Sequence, residues 1–244
     1  MDQSQSPPAS SCDASRQAVA PARASERNTA SRLDNKNVAS AYARWAPVYD
    51  LAFATVMRTA RRSAAAAVNR HRGGRVLDVG VGTGLELPMF DASLTIVGVD
   101  LSIPMLRRAA RRVREARLTE TIAGLAVMDA CRLAFTDAHF DAVVAPFVLT
   151  VLPQPEASLD EWLRVLKPGG EIILVNHIGA ERGAVAKIET WLGRRSVALG
   201  WRPEFPWTIM SDWLAARPAL ILSERRRLPP FGLFTLTRIT KPQA

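Results

Sequence analysis

Cysteine is scarce in this chain: 244 residues contain two, Cys12 and Cys131. Two cysteines cannot build a disulfide framework or a multi-cysteine metal site, so no metal centre is expected and a reducing, cytoplasmic compartment is the default. Long apolar runs are lacking too. The longest, Ala142 to Leu152, contains Pro146 and falls well short of the roughly 20 residues that span a bilayer. No apolar h-region follows Met1, so any membrane contact is expected to be peripheral. Acidic residues are outnumbered, 23 against 32 Lys and Arg, giving a formal charge of +9. That balance favours an acidic partner, nucleic acid or an anionic membrane, without choosing between them. Apolar side chains are plentiful at 48%, enough for a full core.

Residues 1–36 are rich in Ser, Ala, Pro and Arg, and after Met1 their only large aliphatic side chains are Val19 and Leu33. Such a segment cannot offset its ordering entropy and is expected to be a disordered extension. Its basic residues nearly cancel its acids, so the +9 belongs almost wholly to the domain over 37–244. That domain opens with a helical cap over 37–72, interrupted at Pro47 and stopped by Gly73-Gly74. Phe53, Met57, Ala60, Ala64 and Val68 form one apolar stripe, with Arg58, Arg62, Asn69 and Arg72 elsewhere. Two readings share this geometry: a core-packed helix with a solvated face, or a helix whose basic side meets a membrane.

Beyond Gly74 the pattern alternates. Strands are expected at 75–80, 94–100, 122–128, 140–146, 171–177, 219–227 and 232–239, and helices at 86–90, 103–117, 156–166, 183–199 and 208–216. Runs such as Arg75-Val-Leu-Asp-Val suit strands covered on both faces, and their alternation with helices predicts a doubly wound, mainly parallel sheet. Pro229-Pro230 and a short turn join the last two strands as an antiparallel hairpin. The expected fold is therefore α/β and Rossmann-like: seven strands, helices on both faces, and the ligand at the carboxyl ends of the strands.

The sharpest motif is Val76-Leu-Asp78-Val-Gly80-Val-Gly82-Thr-Gly84, a strand running into three glycines spaced by two. A dinucleotide fingerprint would need glycine where Leu85 stands, and the Gly-Lys-Ser/Thr ending of a P-loop is absent. An acid followed by G-x-G-x-G resembles the first motif of class I S-adenosylmethionine-dependent methyltransferases. By that resemblance the cofactor is S-adenosylmethionine, and Asp78 with the backbone of Gly80, Gly82 and Gly84 holds its methionine part. Asp100, 22 residues after Asp78 at the end of the second strand, stands where an acid accepts hydrogen bonds from ribose hydroxyls. The resemblance further implies that Asp129 receives the adenine amino group and that the amide of Ala130 meets the ring. Met105 packs on the adenine or belongs to the core. Leu166-Lys-Pro-Gly-Gly170 resembles a structural turn of the family.

The block Tyr42-Ala-Arg-Trp45-Ala-Pro-Val-Tyr49-Asp50 resembles two related groups, quinone-ring C-methyltransferases and bacterial phosphatidylethanolamine N-methyltransferases. Pro146 to Pro153, the strand ending Val175-Asn176-His177 and Gly200 to Pro206 resemble the second. That resemblance implies successive N-methylation of phosphatidylethanolamine to phosphatidylcholine, with C-methylation of a ubiquinone or menaquinone ring as the alternative. Methyl transfer needs an unprotonated amine held in line with the leaving sulfur. Tyr42, Tyr49 and His177 are the candidates for taking the proton or for facing the ammonium that forms. Tyr49 or Trp45 could instead cover the cofactor, and His177 could be a core histidine. Arg107, Arg108, Arg111, Arg112, Arg114 and Arg117 crowd one helix, and Arg225-Arg-Arg227 adds a second group. They form a solvated face, or they hold a phospholipid-bearing anionic membrane on the inner side of the cytoplasmic membrane, together with Arg58, Arg61 and Arg62. No base-flipping or RNA-binding motif accompanies the charge, so no nucleic acid is expected.

Overall fold

The computed structural model describes residues 57–177, 205–229, 232 and 234–243. The extension over 1–36, the first part of the cap with Tyr42, Trp45, Tyr49 and Phe53, and the helix expected over 183–199 lie outside the described residues.

In chain order the elements are α1 (Arg58–Val68), β1 (Arg75–Val79), β2 (Thr95–Asp100), α2 (Ile103–Glu115), β3 (Ile122–Val127), β4 (Phe140–Pro146), α3 (Pro155–Val165), β5 (Leu166–His177), α4 (Trp207–Ala215), β6 (Ile221–Leu228) and β7 (Phe234–Thr240). The seven strands form one sheet in the order β3-β2-β1-β4-β5-β7-β6. The first five pair in parallel, and β7 pairs antiparallel with both β5 and β6. Strand parity sorts the side chains into two cores. Val76, Ile96, Ala142, Val144, Ile173 and Val175 pack with α1 and α2 on one face. Leu77, Val79, Val99, Val143, Ala145, Ile172 and Leu174 pack with α3 and α4 on the other. The strand order reverses between β1 and β4, which places a ligand crevice at their carboxyl ends.

The alanine-rich α1 buries Met57, Ala60, Ala64 and Val68, the expected stripe, but it also buries Arg61, Ala65 and Ala67. It ends at Val68 rather than Arg72 because Asn69 is clamped across to the loop after β1, donating to Met89 O at 3.0 Å and accepting from Asp91 N at 2.9 Å. The helix expected at 86–90 is a single 3-10 turn, Leu87–Met89, whose Pro88 supplies no amide hydrogen and whose next residue, Phe90, is extended. In β6 and β7 the strands begin two residues later than expected. The chain into β6 first closes a turn from Leu220 N to Arg217 O, and Gly232 takes a left-handed turn before β7. The turn expected at 166–170 lies inside the span of β5 as a bulge: Leu166 pairs with Phe140 and Glu171 with Ala142. Gly169, at φ 75°, donates to the carbonyls of Lys241 and Pro242, which lace the bulge to the chain after β7.

Candidate active site

The parity that sorts the cores also assembles the site. Asp78 follows Val76 on the α1 face of β1, Asp100 follows Ile96 on the same face of β2, and His177 follows Val175 on that face of β5. At the end of β1 the chain turns through Gly80 and Gly82, at φ 69° and 54°. Gly82 N donates to Asp100 Oδ2 at 2.9 Å, and Ser102 N donates to Asp100 Oδ1 at 2.8 Å. Each oxygen of Asp100 keeps acceptor capacity for a ligand. Burial pushes this carboxyl above the ordinary range, against the lowering effect of the two amides.

Behind the glycine turn lies a buried cluster of charge. Asp78 is fully buried, and neither of its oxygens has a hydrogen-bond partner. Burial first, then the neighbouring Glu86 and Asp100, hold it well above the usual carboxylate range. Glu86 is buried too and is raised by burial, with Arg61 and Arg112 acting in the opposite direction. Arg61 Nε lies 3.4 Å from Glu86 Oε2, and its guanidinium sits 5.3 Å from the centre of the Phe147 ring. Arg112 reaches back from α2 to donate to Thr83 O. Arg61 was expected at a membrane-facing surface; it is instead 3% exposed. Its place, four residues after Met57 and four before Ala65, is a core position of the helix, which the sequence periodicity could have shown.

Gly80, Gly82, Asp100, Met105 and Ala130 line an open cleft of about 100 Å³, with Phe147 on the wall that follows β4. Asp78, Gly84, Asp129 and His177 do not line it. Gly84 is a packing residue, since a Cβ there would meet Leu87 Cδ1 at 2.7 Å and Ala109 Cβ at 3.2 Å. Asp129 Oδ1 accepts from Cys131 N at 2.9 Å, capping its own turn. Met105 is buried in the first turn of α2, behind the Ser102 cap. From the other side α3 fixes the wall that carries Ala130: Trp162 Nε1 donates to Ala130 O at 3.0 Å, and Leu133 N donates to Glu161 Oε1 at 2.6 Å. His177 lies one aromatic ring beyond the Phe147 wall. Its imidazole meets Phe234 edge-on at 6.4 Å, and Phe234 meets Phe147 edge-on at 5.2 Å. Phe147 holds φ 64°, a conformation that bulky side chains rarely adopt and that is found preferentially at functional sites. Nothing in the residue order announces it, or the role of Glu86.

The cleft suits S-adenosylmethionine. It has a left-handed glycine turn for close approach, an acid with spare lone pairs beside it, a buried acid without partners behind it, and an apolar end at Met105, Met128 and Ala130. Fold and site together define a class I S-adenosylmethionine-dependent methyltransferase. Solved structures share the fold: a Haloferax volcanii methyltransferase in complex with the Trm112 activator superimposes with TM-score 0.68 at 18% identity, over 83% of this chain and 98% of that one. An S-adenosylmethionine-dependent methyltransferase of Thermotoga maritima gives TM-score 0.62 at 22% identity, over 83% and 99%. The methyltransferase domain family matches residues 77–174. A phosphatidylethanolamine N-methyltransferase of Cereibacter sphaeroides is 42% identical over 204 residues, 84% of this chain and 97% of that protein, and the chain belongs to the family it represents. A demethylmenaquinone methyltransferase of Renibacterium salmoninarum is also 42% identical, but over 115 residues, 47% of this chain and 46% of that protein.

Proposed function

We propose that this enzyme methylates the amine of phosphatidylethanolamine and continues through successive methylations to phosphatidylcholine. The observation that carries the reading is the extent of the likeness: it spans 97% of the phosphatidylethanolamine enzyme but 46% of the demethylmenaquinone enzyme. Bound S-adenosylmethionine supplies an electrophilic methyl group. In this reading the glycine turn at Gly80 and Gly82 meets its methionine part, Asp100 takes the ribose hydroxyls, and Met105 and Ala130 serve the adenine; Asp78, Gly84 and Asp129, which do not line the cleft, are assigned to the cofactor by the family resemblance. A primary amine resembling lysine has a pKa of roughly 10 in water, so it must be desolvated or deprotonated before attack. His177, on the same sheet face as Asp100 though outside the cleft, is our candidate for that proton among the described residues, with Tyr42 and Tyr49 as the other candidates.

The lipid is met at a surface, and the reading includes peripheral association with the inner face of the cytoplasmic membrane. No helix among the described residues is long and apolar enough to cross a membrane. Exposed Arg58, Arg62, Arg107, Arg111, Arg114 and Arg117 supply the positive charge that anionic lipid attracts.

Expression in a bacterial host that makes phosphatidylethanolamine but no phosphatidylcholine tests the substrate. Labelled methionine and thin-layer chromatography should reveal mono- and dimethylated lipids and phosphatidylcholine, and His177→Ala should depress the early steps most. Absence of every methylated phospholipid, together with restored quinone synthesis in a quinone-methylation mutant, would transfer the assignment to the quinone ring.

A further inference from the structure

Asp78 and Glu86 are both buried, 0% and 6% exposed, and the charge of Glu86 acts on Asp78. The charged groups around them come from three elements: Arg61 of α1, Arg112 of α2 and Asp100 of β2. Arg61 stands at salt-bridge distance from Glu86, and Arg112 donates to Thr83 O. Asp100 is a third carboxylate and is already occupied by two amides. Asp78 is left with no hydrogen-bond donor on either oxygen. An ionised carboxylate cannot be kept in such a place without a counter-charge, so it neutralises by taking a proton.

We propose that in the empty protein the Asp78–Glu86 pair carries one proton, and that this proton leaves for solvent when the cationic cofactor binds. This rests on the assignment of the cleft to S-adenosylmethionine, which brings an ammonium and a sulfonium. Only a carboxyl O–H bond breaks; the proton goes to buffer and the electron pair stays on oxygen as the counter-charge. Arg61 and Glu86 are then positioning residues. Arg61 favours the anionic form of Glu86 against burial, and negative charge on Glu86 keeps the proton on Asp78 until the ligand replaces it. Cofactor affinity accordingly rises with pH until the pair is ionised in the empty protein. Two titrating sites this close share their proton, and the release is a property of the pair.

Titration calorimetry of the full chain with S-adenosylmethionine tests this in buffers of different ionisation enthalpy. The pH is set at about 6, well below the roughly 7.7 of a free α-amino group, so that the ligand itself takes up no proton. The apparent heat should vary with buffer enthalpy with a slope of about one proton released. In Glu86→Gln, Arg61 turns to the remaining carboxylate and the slope should fall toward zero while the cofactor still binds; Arg61→Lys, which keeps both the cation and Glu86, should keep the wild-type slope. Difference infrared spectroscopy of the wild type gives an answer even where Glu86→Gln does not fold. A carboxylic-acid carbonyl band should vanish on cofactor binding. Binding with zero slope, or a slope unchanged in Glu86→Gln, or no such band, overturns the proposal alone. No binding at all overturns the cofactor assignment with it.

Discussion

At Asp100 one carboxylate serves Gly82 N and Ser102 N and keeps lone pairs over for a ligand, so removing it acts twice. Asp100→Ala should weaken S-adenosylmethionine binding by about 1–3 kcal/mol, the scale of hydrogen bonds to a charged group, through the ribose and through a loosened glycine turn. Titration calorimetry reads it, and wild-type affinity in a folded Asp100→Ala protein would take this residue out of the site. The acid was legible from its spacing after Asp78, because a strand length and a crossover fix where the second strand ends. Arg61 was not read correctly. An arginine beside Arg58 and Arg62 looks like part of a solvated face; its spacing from Met57 and Ala65 marks a core position, and the buried Glu86 opposite it explains why a cation stands there.

Glycines 80, 82 and 84 read alike along the chain but answer to different elements. A Cβ at Gly80 would drive into Val148, two residues after β4, at a φ of 69° that side chains resist; at Gly82 the nearest atom would be Gly80 O at 3.8 Å. Gly80→Ala should therefore cost about 1–3 kcal/mol of stability in urea denaturation, combining backbone strain with a clash. Adding Val148→Ala should recover the clash and leave the strain. Complete recovery would show that the left-handed turn at Gly80 relaxes freely. Element positions were legible where apolar runs are continuous, as in β1, β4 and α2. Boundaries failed where a long-range partner decides them: Asn69 clamping the loop after β1, and Lys241 with Pro242 drawing residues 167–170 into the span of β5.

Across the molecule, Glu171 ties three elements together. It accepts from Arg238 Nη2 at 2.6 Å and 2.8 Å and lies 3.2 Å from His71 Nε2, joining β5 to β7 and to the turn after α1. His71 and Arg238 lower its carboxyl from 4.5 to about 2, against burial. A folded-state value below the unfolded one means stability that is complete above about 4.5 and is lost as pH falls toward about 2. The amount is of order 3 kcal/mol. Glu171→Gln should be less stable than wild type at neutral pH and should flatten the acid limb in that window, measured as the urea midpoint against pH. An unchanged acid limb would assign the loss to other carboxylates. The arginines outside the cores define a second whole-molecule property. Co-sedimentation with anionic vesicles should fall steeply with salt, whereas neutral vesicles should bind weakly at any ionic strength. Equal binding to both at low salt would remove electrostatics from membrane attachment.

The doubly wound sheet and the hairpin that closes it follow from local information: buried runs, glycine spacing and turn residues act over a few positions, and the chain order of strands and helices limits the topology. Tertiary structure alone decided which of those residues share a space. Strand parity put Asp78, Asp100 and His177 on one face, and α1 and the 3-10 turn brought Arg61 and Glu86 to the back of the glycine turn. Those groups come from positions as far as about a hundred residues apart in the chain, and the energies of such placements depend on burial and on paired charge, which no local pattern records.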